Sequence, residues 1–476
     1  MKYLKFIIEN YRAIEGPLEV DLNKTSLIPI VGINECGKTT ILQAIYCFDY
    51  LNDPEYEGKH IQNTQNLYQT VDKDSKISAT ISIKYDELFN SVRDCKSDLI
   101  SDIESEIADL DEDDNRDRID DLREQINEIS EFQIPFEKKG FSKQIKLIRN
   151  LNQDLYSIDG IEANSINIQI VIDKAGRDIV RSLPYILYND DFIDRPPNEI
   201  KIPNKKPARL TGWLAIYERL FNETDNQYSL FSIAKENDKR RRDSIISDVQ
   251  EKLNQTLSKA WKTFVLKNQV KALNIDLSLD ISDSEDNAGS LQISIVEKLG
   301  SRDRYFNIVD RSKGFLWYYN FVMKLEFNPK ISGYKKDTVY LLDEPGSYLH
   351  SSAQEKLCQK IKEISEKHGN VIYCTHSHNL LDPEKIPLNN IYIVEKNTSK
   401  KITAVPLPLA KGQSDLNSAY QPIHEALETS VFKEIQKGQR SLVVEGIYDK
   451  YSIQLFANLA DDINIIPGTS ASSIVN

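Results

Sequence analysis

Four residues separate Gly32 from Gly37 in the stretch VGINECGKTT (31–40), and Lys38 and Thr39 follow the second glycine. This G-x-x-x-x-G-K-T spacing serves one kind of chemistry. Glycines let a loop curl until its backbone N–H groups converge on an anion. A helix opening at that loop adds partial positive charge. A lysine can then reach β- and γ-phosphates, and a threonine hydroxyl can hold Mg²⁺. Asn34, Glu35, Cys36 and Thr40 belong to the same loop and are expected beside the phosphates. The stretch reads as a P-loop for a nucleoside triphosphate, with ATP and Mg²⁺ the expected ligands. Cys36 lies beside Lys38 near a helix start, where a thiol pKa is expected to fall. ATP-protected alkylation of that thiol is therefore also expected.

A triphosphatase needs more than a cradle. TVYLLDEPGSYLH (338–350) is an apolar run ending in Asp343-Glu344. Asp343 fits a carboxylate that holds Mg²⁺ beside the P-loop threonine, and Glu344 fits a base that polarises the attacking water. VIYCTHSHNLLD (371–382) is a second apolar run, ending in Thr375-His376-Ser377. His376 there is placed to hydrogen-bond a γ-phosphate. Ser312 and Gly314, within RSKGFLWYYNFVMKL (311–325), open a helix and form a further weak anion motif.

The elements that must position these residues are legible in part. Residues 3–9, 18–22 and 27–31 read as strands and Lys38 to Leu51 as a helix. KISATISIKY (76–85) alternates like a half-exposed strand. Leu99, Ile103, Ile107 and Leu110 sit at helical spacing, as do Ile119, Leu122, Ile126 and Ile129, with acidic DEDDNRDR between them. The pattern predicts an antiparallel helical hairpin with a solvated tip, either an arm for a partner or DNA or a structural hairpin. Residues 165–173 and 178–188 read as strands, and NDDFIDRPPNEIKIPNKKPAR (189–209) as a Pro-rich loop. Residues 211–272 read mostly as helix. Within them KENDKRRRD (235–243) is the densest basic cluster, a phosphate contact or a solvated face. NIDLSLDIS and LQISIVEK suggest a hairpin. From about residue 300, apolar strands alternate with helices, which implies an α/β fold with a parallel, doubly wound sheet.

Composition narrows the class. The 476 residues suffice for two or three domains. A net charge of −13 excludes an overall basic field of the kind that draws nucleic acid, though not local basic patches. Five cysteines without C-x-x-C spacing argue against a disulfide framework or zinc site. The N-terminal apolar stretch is too short for a signal peptide, and no apolar run is long enough to span a bilayer. A cytoplasmic protein without membrane contact is expected.

The P-loop, the Ser-x-Gly helix start, LLDEP, SYLH and THS, in this order, resemble the ABC-type ATPase heads of the SMC and recombination-repair group. NYRAIEG near the start is similar to that group's N-terminal signature, and the resemblance makes Arg12 a nucleotide contact. NECGKT, EPGSYLH and CTHSHNLL look most like the OLD (overcoming lysogenization defect) family, whose members join such a head to a C-terminal Toprim nuclease. The specific motifs cover residues 1–50 and 305–395. Lys313 stands where the usual Ser-Gly-Gly signature has a glycine. The resemblance implies head-to-head dimers or higher oligomers, in which Ser312 and Gly314 reach the partner's nucleotide.

SLVVEGIYDKYSIQLFANLADDINIIPGTSA (441–471) reads strand, helix, strand. Glu445 and Asp449 resemble the E-G-x-x-D opening of a Toprim domain, where they would share Mg²⁺ or Mn²⁺ in a two-metal nuclease. The D-x-D of such domains does not appear before Asn476, so weak cleavage or none is expected of this chain. The expected division is an ATPase N-terminal lobe at 1–90, an inserted helical and strand region at 91–300, an ATPase C-terminal lobe at 301–410, and a linker with a partial Toprim domain at 411–476. The function implied is an ATPase that gates a DNA endonuclease in anti-phage defence or DNA repair. The alternative is a non-nucleolytic ATPase sensor that holds or releases a partner effector.

Overall fold

The computed structural model describes residues 1–49, 73–111, 114–190, 196–207, 210, 212–264, 274–282, 286–299, 302–327, 338–367, 369–382, 385–397, 399–407, 440–444 and 463–467. The first half runs β1 (Lys2–Glu9), β2 (Leu18–Asp21), β3 (Leu27–Val31), α1 (Lys38–Phe48), β4 (Lys76–Ser82), α2 (Tyr85–Ala108), α3 (Arg116–Glu131), β5 (Gln144–Asn150), β6 (Leu155–Ile158), α4 (Ile166–Ser182) and β7 (Ile186–Asp190). Next come β8 (Glu199–Pro203), α5 (Gly212–Thr224), α6 (Leu230–Ile233), α7 (Lys239–Phe264), β9 (Ile275–Ile281), β10 (Asn287–Leu299) and β11 (Arg302–Asn307). The last part holds α8 (Lys313–Phe327), β12 (Thr338–Asp343), α9 (Ser351–Lys367), β13 (Gly369–Thr375), β14 (Tyr392–Lys396), β15 (Ile402–Pro406), β16 (Arg440–Val444) and β17 (Ile463–Pro467).

The sheet that matters for chemistry has the order β15-β14-β3-β13-β12-β7. Every pairing in it is parallel except β14 with β15. Its inner strands β3, β13 and β12 are largely buried on both faces, which is why they read as continuous apolar runs. Ile28, Ile30, Val339, Leu341, Ile372 and Cys374 point into one core, shared with α1 and the first sheet. Their neighbours Leu27, Val31, Tyr340, Leu342, Val371 and Tyr373 point into a second core with α5, α7, α8 and α9. Helix α1 thus lies between this central sheet and the first sheet, which is antiparallel with order β2-β1-β4-β5-β6. A third sheet places β10 against β8, β9 and β11.

Several expectations change here. Residues 165–173 and 178–188 do not form two strands: Ile166–Ser182 is helix α4, capped by Ser165, whose Oγ accepts from the Ile168 N–H at 3.3 Å. INIQIVI alternates over its first residues, but Ile168, Val171, Ile172, Ala175, Ile179 and Val180 continue at helical spacing and are the buried positions. The Pro-rich stretch contains strand β8, which β10 pairs from some ninety residues away in the sequence. Strand β4 is largely buried rather than half-exposed, since it is the middle strand of its sheet. Helix α1 ends at Phe48.

The hairpin of α2 and α3 forms as expected, and Lys96 of α2 donates to the carbonyls of Ser130 (3.0 Å) and Phe132 (2.6 Å) at its far end. It is not a free insertion. Ile103, Leu122 and Ile129 enter the first core, and Lys174 of α4 pairs with Asp102 at 3.6 Å. The 91–300 stretch also supplies β5 and β6 to the first sheet and β7 to the central one. Strands β9 and β10 make the expected antiparallel hairpin. The five cysteines are free. Among the described residues no helix is long and apolar enough to cross a membrane.

Candidate functional site

The carboxyl ends of β3, β13 and β12 lie side by side, with Val31 opposite Thr375 and Asp343 opposite Cys374. In a parallel sheet this edge is where ligands bind. A cleft of about 620 Å³ opens there, ample for a nucleoside triphosphate.

The loop after β3 builds the floor. A side chain at Gly32 would place its Cβ 2.4 Å from the Val394 carbonyl oxygen, so the loop presses directly on β14. Gly37 has φ 103°, the left-handed region, and a Cβ there would lie 2.2 Å from Ile402 of β15. Glu35 also turns left-handed, with φ 62°. These bends start α1 at Lys38, and Asn34, Glu35, Gly37 and Thr40 line the cleft.

Lys38 is buried, and its Nζ donates to the carbonyls of Gly32 (3.1 Å) and Ile33 (3.2 Å). The same ammonium lies 2.7 Å from His376 Nε2 and 3.7 Å from Glu344 Oε1. Glu344 Oε1 is in turn 3.0 Å from His376 Nε2, and its Oε2 accepts from the His376 backbone N–H at 3.2 Å. Burial, and then the Lys38 charge, push the His376 pKa down to about 4. The neutral ring therefore stands between a cationic donor and a carboxylate. Burial also pushes Glu344 up, against the pull of Lys38 and of the His376 N–H. Glu344 holds a left-handed backbone, φ 46°, an unusual conformation for a residue with a side chain.

Next to Lys38, the Thr39 hydroxyl donates to Asp343 Oδ1 at 3.0 Å, and Tyr188 Oη donates to Oδ2 at 3.4 Å. A hydroxyl and a carboxylate this close are hard oxygen donors that suit Mg²⁺, which takes few protein ligands and fills its shell with phosphate and water. The donor set fits the metal.

Other expected residues lie elsewhere. Arg12, with φ 50°, donates to Gln43 Oε1 of α1 at 2.5 Å and does not line the cleft. Ser312 caps α8, its Oγ accepting from the Phe315 N–H at 3.3 Å, and Gly314 packs against the Tyr348 carbonyl. Neither lines the cleft of its own chain. Cys36 corrects an expectation. It is 1% exposed, with its Sγ packed beneath Gly32, and burial pushes its thiol up despite Lys38. Its side chain supports the loop from below and is not a phosphate contact or a reactive thiol. Glu445 and Asp449 lie outside the described residues, although β16, which ends just before Glu445, pairs in parallel with β17.

Sequence reasoning missed Tyr188, Ser347, Ser377 and Gln354. Ser377 stood inside the THS motif, and Gln354 one helical turn after SYLH, but nothing local marked either.

The family model described as an AAA ATPase domain matches residues 1–381. Uncharacterized protein MJECL43 of Methanocaldococcus jannaschii is 29% identical over 183 residues, which cover 37% of this chain and 43% of that protein. The chain thus matches less than half the length of that relative. Among solved structures, an SMC head bound to the C-terminal winged-helix domain of ScpA aligns at 14% identity with TM-score 0.42, covering 86% of this chain and all of that one. The Pyrococcus furiosus SMC head with an extended coiled coil, also bound to the C-terminal domain of ScpA, gives 14% and 0.41, covering 86% of this chain and 97% of that one. The Thermotoga maritima SMC head domain gives 14% and 0.36, covering 86% and 99%. The family match runs past His376 and so takes in every strand end that builds the cleft: the chain is a P-loop ATPase and belongs to the AAA ATPase domain family.

Proposed function

We propose that ATP closes two copies of this head on each other, that hydrolysis reopens them, and that the cycle gates a C-terminal Toprim nuclease acting on DNA in phage defence or repair. One observation carries the ATPase half of this reading: Lys38, Thr39, Asp343, Glu344 and His376, from three separate segments, meet at one cleft. In this reading Lys38 leaves the loop carbonyls for the β- and γ-phosphates. Thr39 and Asp343 would hold Mg²⁺, which would supply charge neutralisation when bound. Glu344 orients and deprotonates the attacking water, and His376 hydrogen-bonds the γ-phosphate. Arg12 swings from Gln43 to the nucleotide. Ser312 and Gly314, which do not line their own cleft, meet the partner's γ-phosphate.

The nuclease half rests on the resemblance of the C-terminal stretch, supported by the parallel β16–β17 pair with Glu445 directly after β16. Parallel neighbours require a crossover between them, as a Toprim opening has. For DNA contact, the start of α7 offers exposed Arg240 and Arg241.

The test uses the protein encoded by the complete gene. Glu445→Ala should abolish Mg²⁺- or Mn²⁺-dependent DNA cleavage and leave ATP hydrolysis intact. Absence of cleavage on linear, supercoiled and nicked DNA with either metal would overturn the nuclease reading and favour a sensor that holds or releases a partner effector.

A further inference from the structure

Pairing between β12 and β13 ends at Asp343 and Cys374, with one further rung from the Glu344 N–H to the Cys374 carbonyl at 3.1 Å. Beyond it the strands part. Glu344 and Gly346 both turn left-handed, at φ 46° and 69°, while the β13 side runs on through Thr375, His376 and Ser377. Catalysis by Glu344 and His376 depends on the spacing of these two turns, which no sheet holds.

Gln354, in the first turn of α9, bridges them at the wall of the cleft and is 8% exposed. Its Nε2 donates to the Gly346 carbonyl at 3.0 Å. Its Oε1 accepts from Ser377 Oγ at 2.8 Å and from Asn379 Nδ2 at 3.0 Å. One amide therefore bonds to the Glu344 turn with its nitrogen and to the His376 turn with its oxygen. We propose that Gln354 is a positioning residue for ATP hydrolysis, a clamp that sets the distance between Glu344 and His376. The inference rests on the roles given above to those two residues.

The chemistry of the position supports a clamp over simple packing. An apolar side chain of the same length would fill the space equally well, yet the site uses a group whose donor and acceptor are both engaged. Buried and satisfied amides of this kind fix geometry. Tyr348, two residues beyond Gly346, also carries the ring over which Lys313 Nζ lies at 5.0 Å. The same turn thus touches the α8 start, whose Ser312 and Gly314 are proposed to contact the second nucleotide.

Gln354→Met keeps length and volume and removes both hydrogen-bonding ends. Misplacement of catalytic groups by about 1 Å costs up to roughly 100-fold in rate. The expected result is kcat lowered roughly 10- to 100-fold, ATP Kd within about 2-fold of wild type, and a largely retained thermal midpoint. Gln354→Glu keeps the acceptor for Ser377 and Asn379, and its kcat should lie between the two. An unchanged kcat in Gln354→Met would overturn the proposal, as would a parallel loss of kcat, ATP affinity and thermal midpoint. A separate readout uses ¹H–¹⁵N spectra of the nucleotide-free protein. Gln354→Met should move the His376 imidazole and Asn379 amide signals, and unmoved signals would also refute the clamp. If wild type fails to hydrolyse ATP, the catalytic roles fail, and these spectra still judge the clamp.

Discussion

Glu344→Gln separates a base from a charge at nearly constant volume. Glu344 Oε1 lies 3.7 Å from Lys38 Nζ, and at an effective dielectric of 20 that pair attracts by about 4.5 kcal/mol. The attraction competes with phosphate for the same ammonium, and the carboxylate itself repels phosphate. Only part of the attraction is released on substitution, because the pair is also partly desolvated. We expect ATP Kd to fall roughly 3- to 10-fold, about 0.7–1.4 kcal/mol. The glutamine oxygen can still accept from the His376 N–H, so the turn should hold. The chemical step loses its base, which costs on the order of 10²-fold or more in kcat, about 2.7 kcal/mol at least. Equilibrium ATP binding and phosphate release in single turnover measure the two effects separately, and light scattering in saturating ATP should show a trapped dimer. Tighter binding with slower turnover is the signature of this geometry. A kcat within 5-fold of wild type (roughly 1 kcal/mol) would remove Glu344 as the base.

Three further outcomes are expected. Lys38→Ala removes the cation at the centre of the cleft and should abolish ATP binding or turnover, so wild-type hydrolysis by that variant would refute this P-loop assignment. His376 has a folded pKa of about 4 against an ordinary 6.5, so the unfolded chain binds its proton first. Its contribution to stability is fully present above about pH 6.5 and is lost as pH falls toward 4, and His376→Gln should flatten that part of a thermal-midpoint profile. Arg149 is fully buried and donates to the Cys47 carbonyl near the end of α1 at 2.7 Å and to Asp154 at 2.8 Å. Arg149→Met should destabilise by about 2–4 kcal/mol in urea unfolding, since a charge-assisted bond to a helix C-terminus is lost inside the core. A change below about 1 kcal/mol would show that the site repacks without cost.

What could be read from the sequence was local. The P-loop, Asp343-Glu344 and Thr375-His376 each announce themselves within a dozen residues, because a strand end and a helix start force the spacing. Helix α4 was misread because its first seven residues alternate. An alternating strand would bury Ile166 and Ile170 with Ile168 and Ile172, but the helix leaves Ile166 66% and Ile170 37% exposed. Strand β8 was hidden because its partner is distant, and proline-rich flanks argued the other way. Cys36 shows the same limit within the site. Its sequence neighbours favour a thiolate, but the β14–β15 hairpin covers the loop and takes the sulfur out of water. Gln354 could not be found at all, since its partners are backbone and side-chain groups of two turns that only the fold brings together.

The charge of the chain is not spread evenly, and this bears on where DNA could lie. Residues 85–131, the α2–α3 hairpin, hold 18 Asp and Glu against 5 Lys and Arg. That net −13 equals the net charge of the whole protein, so the remaining chain is balanced. A hairpin of such charge repels a phosphate backbone within a Debye length of about 10 Å. Of the roles left open for it, contact with DNA is therefore the one its electrostatics oppose. Its apolar stripe is already engaged with α4 and the first core, which leaves the charged faces to solvent or to a basic partner. Nucleic acid, if it approaches this ATPase, meets least repulsion at a neutral or basic face, and the start of α7, with exposed Arg240 and Arg241, is one such face among the described residues.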